Sequence, residues 1–243
     1  MFLKSLALSL ALALTSQAAL TIENYDQLYT QDFDSLGTGS SSWTYPAGII
    51  ALPNWFSSEE EITAGNGSDT GAGLYNLGSG GFPHTGRSLG SVGGTVTFGI
   101  QFNNGTAGEI TSMTVSYYGQ TWRAGSAVNR LAFEYFVGDA GVVDSEVAGW
   151  VPVTALNYSS GLTGTEQELT ANIEGLHIAA GQDFWFRWAD SASPGADATL
   201  GIDDLTLTAV PETSFYSLAA VGFLGLVIAG RECRARFARR TRA

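Results

Sequence analysis

Between residues 95 and 118 the chain reads TVTFGIQFNNGTAGEITSMTVSYY, and this stretch constrains the fold more than any other. Val96, Phe98, Ile100 and Phe102 occupy every second position, which lines one face of a strand with apolar side chains. NNGT (103–106) then interrupts the run as a turn signal, since Asn-Gly tolerates the positive φ that tight hairpins demand. The alternation resumes with Met113, Val115 and Tyr117 on one face, Ile110 being offset. In RLAFEYFV (130–137), Leu131, Phe133, Tyr135 and Val137 point inward and Glu134 outward. Further strands are predicted at WVPVTAL (150–156), ELTANI (168–173), FWFRW (184–188) and LGIDDLTLTA (200–209). No segment of this body keeps a helical period for three turns, and no repeat of fixed length is visible. Many short strands with turns between them predict an all-β domain, a jelly-roll-like β-sandwich over residues 20–209.

The two ends are different in kind. Met1 to Lys4 is a short basic start, SLALSLALAL an apolar core and TSQAA a small-residue cleavage region, so residues 1–19 read as a secretory signal peptide. At the other end, Thr213 to Gly230 carries no charge over 18 residues, at the short end for a transmembrane helix. Arg231, Arg234, Arg236, Arg239, Arg240 and Arg242 follow it. Arginines after a span act as a stop and place the C-terminus in the cytoplasm, with the body outside. The chain's net charge is −12, but residues 20–210 hold four arginines against 21 acidic residues, a net charge of −17. Such a body repels phosphate backbones, which argues against nucleic acid as a partner. The only cysteine, Cys233, lies outside the body, so the body has neither a disulfide nor a cysteine nucleophile.

Catalytic constellations are hard to assemble. The only histidines are His84 and His177, which are isolated and lack metal-ligand spacing, and no G-x-S-x-G elbow presents a serine. GNGSDTGAGLYNLGSGGFPHTG (65–86) holds eight glycines in 22 residues and reads as a long surface loop. It has no phosphate-binding G-K-[ST], and the body has no lysine. Glu59, Glu60 and Glu61 read as a solvated charge run.

FWFRWADSASPGADATLGIDDL (184–205) is the most informative part of the body. Phe184, Phe186 and Trp188 alternate with Trp185 and Arg187, so both faces of the strand are large and Arg187 needs a partner. Two readings stand. In one, Arg187 pairs with an aspartate of the returning strand and the tryptophans are core. In the other, Asp203 or Asp204, with Asp190 nearby, holds a structural Ca2+ completed by backbone carbonyls. Trp43 and Trp55 lie in loop-like sequence and are the best candidates for stacking on sugar rings.

W-x-R-W-x-D followed by G-I-D-D-L-T-L resembles the closing strands of jelly-roll modules in secreted bacterial proteins. YYGQTWR (117–123), RLAFEYFVG (130–138) and TQDFDSLG (30–37) fit the same pattern. The resemblance implies the fold and hints at glycan or matrix association. The tail, residues 210–243, resembles the PEP-CTERM sorting signal: a short motif at Val210, Pro211, Glu212 and Thr213, then a span, then arginines. That resemblance implies an exosortase, a membrane cysteine protease, as processing partner, and a link to extracellular polysaccharide and biofilm matrix. Thr213 stands where the family's second proline is expected. The expectation is therefore a non-enzymatic exported protein of the cell surface or matrix. The alternatives are a lectin-like carbohydrate-binding module, with or without Ca2+, and a glycan-cleaving enzyme using paired carboxylates.

Overall fold

The computed structural model describes residues 19–42, 48–49, 51–78, 86–140, 148–190 and 193–211. The segment up to residue 18 expected as a signal peptide, Trp43, His84, Glu212, Thr213, the C-terminal apolar run and the arginines after it lie outside the described residues. The chain divides into two compact units between Val210 and Pro211, and the fold described here is that of the first. Among the described residues, no helix is long and apolar enough to cross a membrane.

Fifteen strands are described. They are β1 (Leu20–Ile22), β2 (Leu28–Gln31), β3 (Ser41–Ser42), β4 (Trp55–Ser57), β5 (Glu61–Gly65), β6 (Gly73–Gly78), β7 (Arg87–Val92) and β8 (Thr97–Asn104). Then come β9 (Ile110–Arg123), β10 (Arg130–Val137), β11 (Val151–Pro152), β12 (Tyr158–Ser159), β13 (Thr165–Ile178), β14 (Asp183–Asp190) and β15 (Thr199–Pro211). Short 3-10 helices at Asp34–Leu36 and Thr154–Leu156 are the only helices among the described residues. The strands form two sheets. One has seven strands in the order β1-β8-β14-β10-β11, with β4 also pairing β8 and β12 pairing β10. The other has eight, in the order β13-β9-β15-β7-β6-β5-β3, with β2 pairing β15. This is the all-β sandwich expected. From β7 to β10 every connection changes sheet, and β12 to β15 do the same.

That traffic corrects two readings of the sequence. NNGT does not close a hairpin: β8 and β9 belong to different sheets, so the segment is a crossover. Asn104 is fully buried there and donates to the Gly108 and Ile178 carbonyls at 2.9 and 2.8 Å, while its Oδ1 accepts from Thr106. The expected strand at 150–156 shrinks to Val151–Pro152 followed by a 3-10 turn. Pro152 lacks the N–H that would extend the ladder.

The inward residues of both sheets make one core. Trp188 stacks on Trp55 and Phe98, with ring centroids 5.8 and 5.9 Å apart, and meets Tyr117 and Phe133 edge-on. Tyr117 donates its hydroxyl to the Leu156 carbonyl, and burial pushes that hydroxyl far above its usual pKa. Ser91 on β7 donates to Asp190 on β14 at 2.8 Å, so one buried polar bond ties the two sheets together.

The Asp203–Asp204 pair has a structural task. β15 pairs with β7 through Thr199–Ile202 and with β2 through Leu205–Thr208. Between the two ladders Asp204 takes a φ of 48°, and its N–H donates to Asp203 Oδ1 at 2.8 Å. A short polar side chain tolerates that conformation better than an apolar one. The pair therefore marks the kink at which one strand changes partner.

Candidate functional site

The outward side chains of the seven-stranded sheet form an organised array. Alternation puts Trp185 and Arg187 of β14 outward, because Phe184, Phe186 and Trp188 belong to the core. Register sets two rows across the sheet. One runs Phe56, Gly99, Arg187, Glu134, Pro152 over β4, β8, β14, β10 and β11. The other runs Gln101, Trp185, Phe136 over β8, β14 and β10. Five strands at the usual spacing make the longer row about 19 Å wide.

Arg187 is the centre. It is 5% exposed, and its Nε and Nη2 donate to Glu134 Oε2 at 2.8 and 2.6 Å. Its guanidinium lies 4.0 Å from the centroid of the Trp150 ring, a cation–π contact. Trp150 also packs on Phe136 at 5.6 Å. Gly149, with φ 105°, makes this approach possible: a Cβ there would sit 2.9 Å from the Phe136 ring. Trp185 lies deeper, 1% exposed, and meets Phe56 at 4.9 Å. Trp150, Phe136 and Glu134 are half-buried and form the open rim. Further along the face Asp183 accepts from Asn103 at 2.7 Å and from Gln101 at 3.4 Å. The indole nitrogens of Trp150 and Trp185 are buried and have no acceptor.

The outer face of the eight-stranded sheet carries a second aromatic cluster, Tyr75, Leu77, Val92 and Trp122. Here the chain covers itself. The segment between β5 and β6 folds over the cluster and is pinned there. Arg123 Nε donates to the Asp69 carbonyl at 3.2 Å, and the Tyr75 hydroxyl donates to the Gly71 carbonyl at 2.8 Å. Burial, and then the Asp69 carboxylate, raise the Tyr75 hydroxyl above its ordinary pKa. Gly67, with φ 84°, lies on Trp122, where a Cβ would come within 2.8 Å of the Trp122 Cβ. Trp122 Nε1 donates to Ser88 and Gln120, both at 3.0 Å. The stretch expected as one loop from 65 to 86 therefore contains β6, and its first part is a packed cover rather than a free surface loop.

Other predicted site residues fall elsewhere. Trp55 is not a stacking platform: it is 0% exposed in the core, and its Nε1 donates to the Tyr29 hydroxyl at 3.3 Å. The cause is β4, which pairs with β8 and turns Trp55 inward against Trp188. Trp43 lies outside the described residues. The partner expected for Arg187 was an aspartate of the returning strand, but the ion pair forms with Glu134. Antiparallel register puts Glu134 opposite Arg187, whereas Asp190 falls on the inward parity of β14. Asp203 and Asp204 belong to the other sheet. Among the described residues, no group of three His, Cys, Asp or Glu side chains could hold a metal ion. His177 is exposed and meets Glu109 at 2.9 Å. Glu59, Glu60 and Glu61 line a surface cleft with Ser42 and Ser58. Of the sorting motif, Val210 and Pro211 end β15, and Glu212 and Thr213 lie outside the described residues.

Sequence reasoning missed Glu134, Phe136 and Trp150 as parts of one site. Outward parity in RLAFEYFV and FWFRW was the available signal, but only the register brings them together.

No family model matches the sequence, and no curated protein matches it. Solved structures do resemble the fold. The tandem CBM22-1–CBM22-2 domain of Paenibacillus barcinonensis Xyn10C is 13% identical with a TM-score of 0.46, over 78% of this chain. This chain spans only 51% of that tandem structure. The CBM22-1 xylan-binding domain of the same protein is 12% identical with a TM-score of 0.40, over 81% of this chain and 100% of that one. The K3 cleaved adhesin domain of Lys-gingipain from Porphyromonas gingivalis is 11% identical with a TM-score of 0.40, over 70% of this chain and 98% of that one. Each is a distant likeness in architecture, and what those domains bind is a property of those domains.

Proposed function

We propose that this chain is a non-catalytic carbohydrate-binding protein of the cell surface or extracellular matrix, with its binding face on the outside of the seven-stranded sheet. The observation that carries this reading is the half-buried Trp150 ring beside Phe136, standing over the Arg187–Glu134 pair. A sugar presents apolar C–H faces and a rim of hydroxyls. It is held by aromatic surface together with a few fixed polar groups. Glu134 is committed to Arg187 and Asp183 to two amides, which suits holding a ligand better than cleaving one.

Delivery belongs to the same proposal. Residues 1–19 export the body, and residues 210–243 sort it, with exosortase cutting near Val210-Pro211-Glu212-Thr213. The apolar run is the transient or retained membrane anchor.

A glycan array on the purified protein, with and without EDTA, tests the binding reading. Binding that survives EDTA is expected, and no bound glycan would remove the reading. Measuring the mass of the mature protein from its native host tests the sorting reading. A species that keeps Arg231 to Ala243 would sink the processing step.

A further inference from the structure

We infer that the ligand is an uncharged polysaccharide, recognised through hydroxyl groups and ring faces rather than through charge; this rests on the carbohydrate-binding reading. Three observations carry it.

First, the charge on the face is closed on itself. The Arg187 guanidinium is bound by Glu134 and covered by Trp150, so it offers no free cation to a uronate, sulfate or phosphate group. Arg130 is exposed on the same strand, but it lies four positions from Glu134, roughly 13 Å at strand rise. The body around the face carries a net charge of −17, which repels an acidic polymer.

Second, the polar groups left over match a neutral polyol. The Nε and Nη2 contacts of Arg187 with Glu134 both fall on Oε2, and the Glu134 side chain is 20% exposed, which leaves Oε1 to accept from a hydroxyl. The Trp150 indole, on the half-buried ring of the rim, is a donor without an acceptor, whereas Trp185, 1% exposed, is out of a ligand's reach. A hydroxyl both donates and accepts, so it can serve the carboxylate and the Trp150 indole. A carboxylate ligand would meet Glu134 as a like charge, and an ammonium would leave the Trp150 donor unpaired.

Third, the aromatic groups are spread over neighbouring strands rather than set around one pocket. Phe56 on β4, Phe136 on β10 and Trp150 just before β11 are spread across the face, which suits an extended chain rather than a single sugar. The Trp150 nitrogen is shielded in the free protein, so engaging it shifts that ring and changes tryptophan emission.

The test is depletion of the full chain by insoluble or gelled polysaccharides of three kinds: a neutral glucan or xylan, a uronate polymer (alginate) and an amino polymer (chitosan). Each is run at about 50 mM and about 500 mM NaCl, where screening differs several-fold. The expected result is retention on neutral chains that changes less than about twofold with salt. Trp150→Phe keeps an aromatic ring, smaller than the indole, and removes the donor, and should weaken retention about fivefold with the protein still folded cooperatively. Preferential, salt-sensitive retention on alginate or chitosan would overturn the inference and leave the carbohydrate-binding reading standing. Retention on none of the three would overturn both. Wild-type retention by Trp150→Phe would remove the indole from the recognition set and overturn the hydroxyl argument.

Discussion

The two outer faces of the sandwich solve the same problem in opposite ways. Each sheet places a tryptophan outward on a long strand, Trp122 on β9 and Trp185 on β14. On the eight-stranded sheet the chain folds a glycine-rich segment over Trp122 and gives its N–H two acceptors. On the seven-stranded sheet Trp185 and its neighbour Trp150 are left without acceptors, next to a buried ion pair. A buried donor without a partner costs about 1–3 kcal/mol; the core ring of Trp188 carries one as well, so what sets this face apart is the half-buried rim of Trp150, Phe136 and Glu134. The contrast sets a face that the chain covers itself beside one that keeps an open rim.

The largest effect is expected on the covered face. Trp122→Ala should cost about 3–5 kcal/mol, the usual range for emptying a large aromatic site. In thermal unfolding this is a drop of roughly 6–20 °C for a domain of this size. Glycan binding by the molecules that remain folded should be unchanged, and an equal loss of binding would blur the distinction between the faces.

Next in size is Glu134→Gln, which takes the Glu134 charge away from the nearly buried Arg187. Breaking a fully buried pair costs about 3–5 kcal/mol, and the partial exposure of Glu134 brings the expectation to about 2–3 kcal/mol. Urea denaturation measures it; a change below about 0.5 kcal/mol would show the pair to be weakly coupled to the fold.

A smaller effect concerns alkaline pH. Burial holds the Tyr29 hydroxyl up to about 12, and pushes that of Tyr117 further up. Both groups stay neutral in the fold at a pH where the unfolded chain ionises. Their contribution is therefore complete below pH 10, the ordinary tyrosine value, and for Tyr29 it is lost between about 10 and 12. Tyr29→Phe should flatten the fall in stability over that window relative to wild type. An unchanged slope in urea titrations at pH 9 to 11 would place the alkaline sensitivity elsewhere.

Much of the sandwich was legible because alternation is local: the inward residues of RLAFEYFV and FWFRW are the inward residues of β10 and β14. What alternation cannot supply is the pairing of distant strands. Glu134 and Arg187 are 53 positions apart, and only the antiparallel register sets them side by side. For the same reason Trp55, in loop-like sequence, read as exposed: nothing local shows that β4 docks on β8 and carries the ring into the core. Asp203 and Asp204 suggested a cation because paired aspartates often hold one. What the structure adds is backbone geometry, which lies outside the reach of the sequence: the pair sits at the kink in β15.

The most direct measurement of the central claim is the retention of the full chain on a neutral polysaccharide, with wild type and Trp150→Ala compared side by side. The variant should bind at least about tenfold more weakly, the loss expected of a central aromatic contact, with a melting temperature within a few degrees of wild type. A variant that unfolds like wild type and binds as tightly would show that the outer face of the seven-stranded sheet is not where this protein meets its ligand.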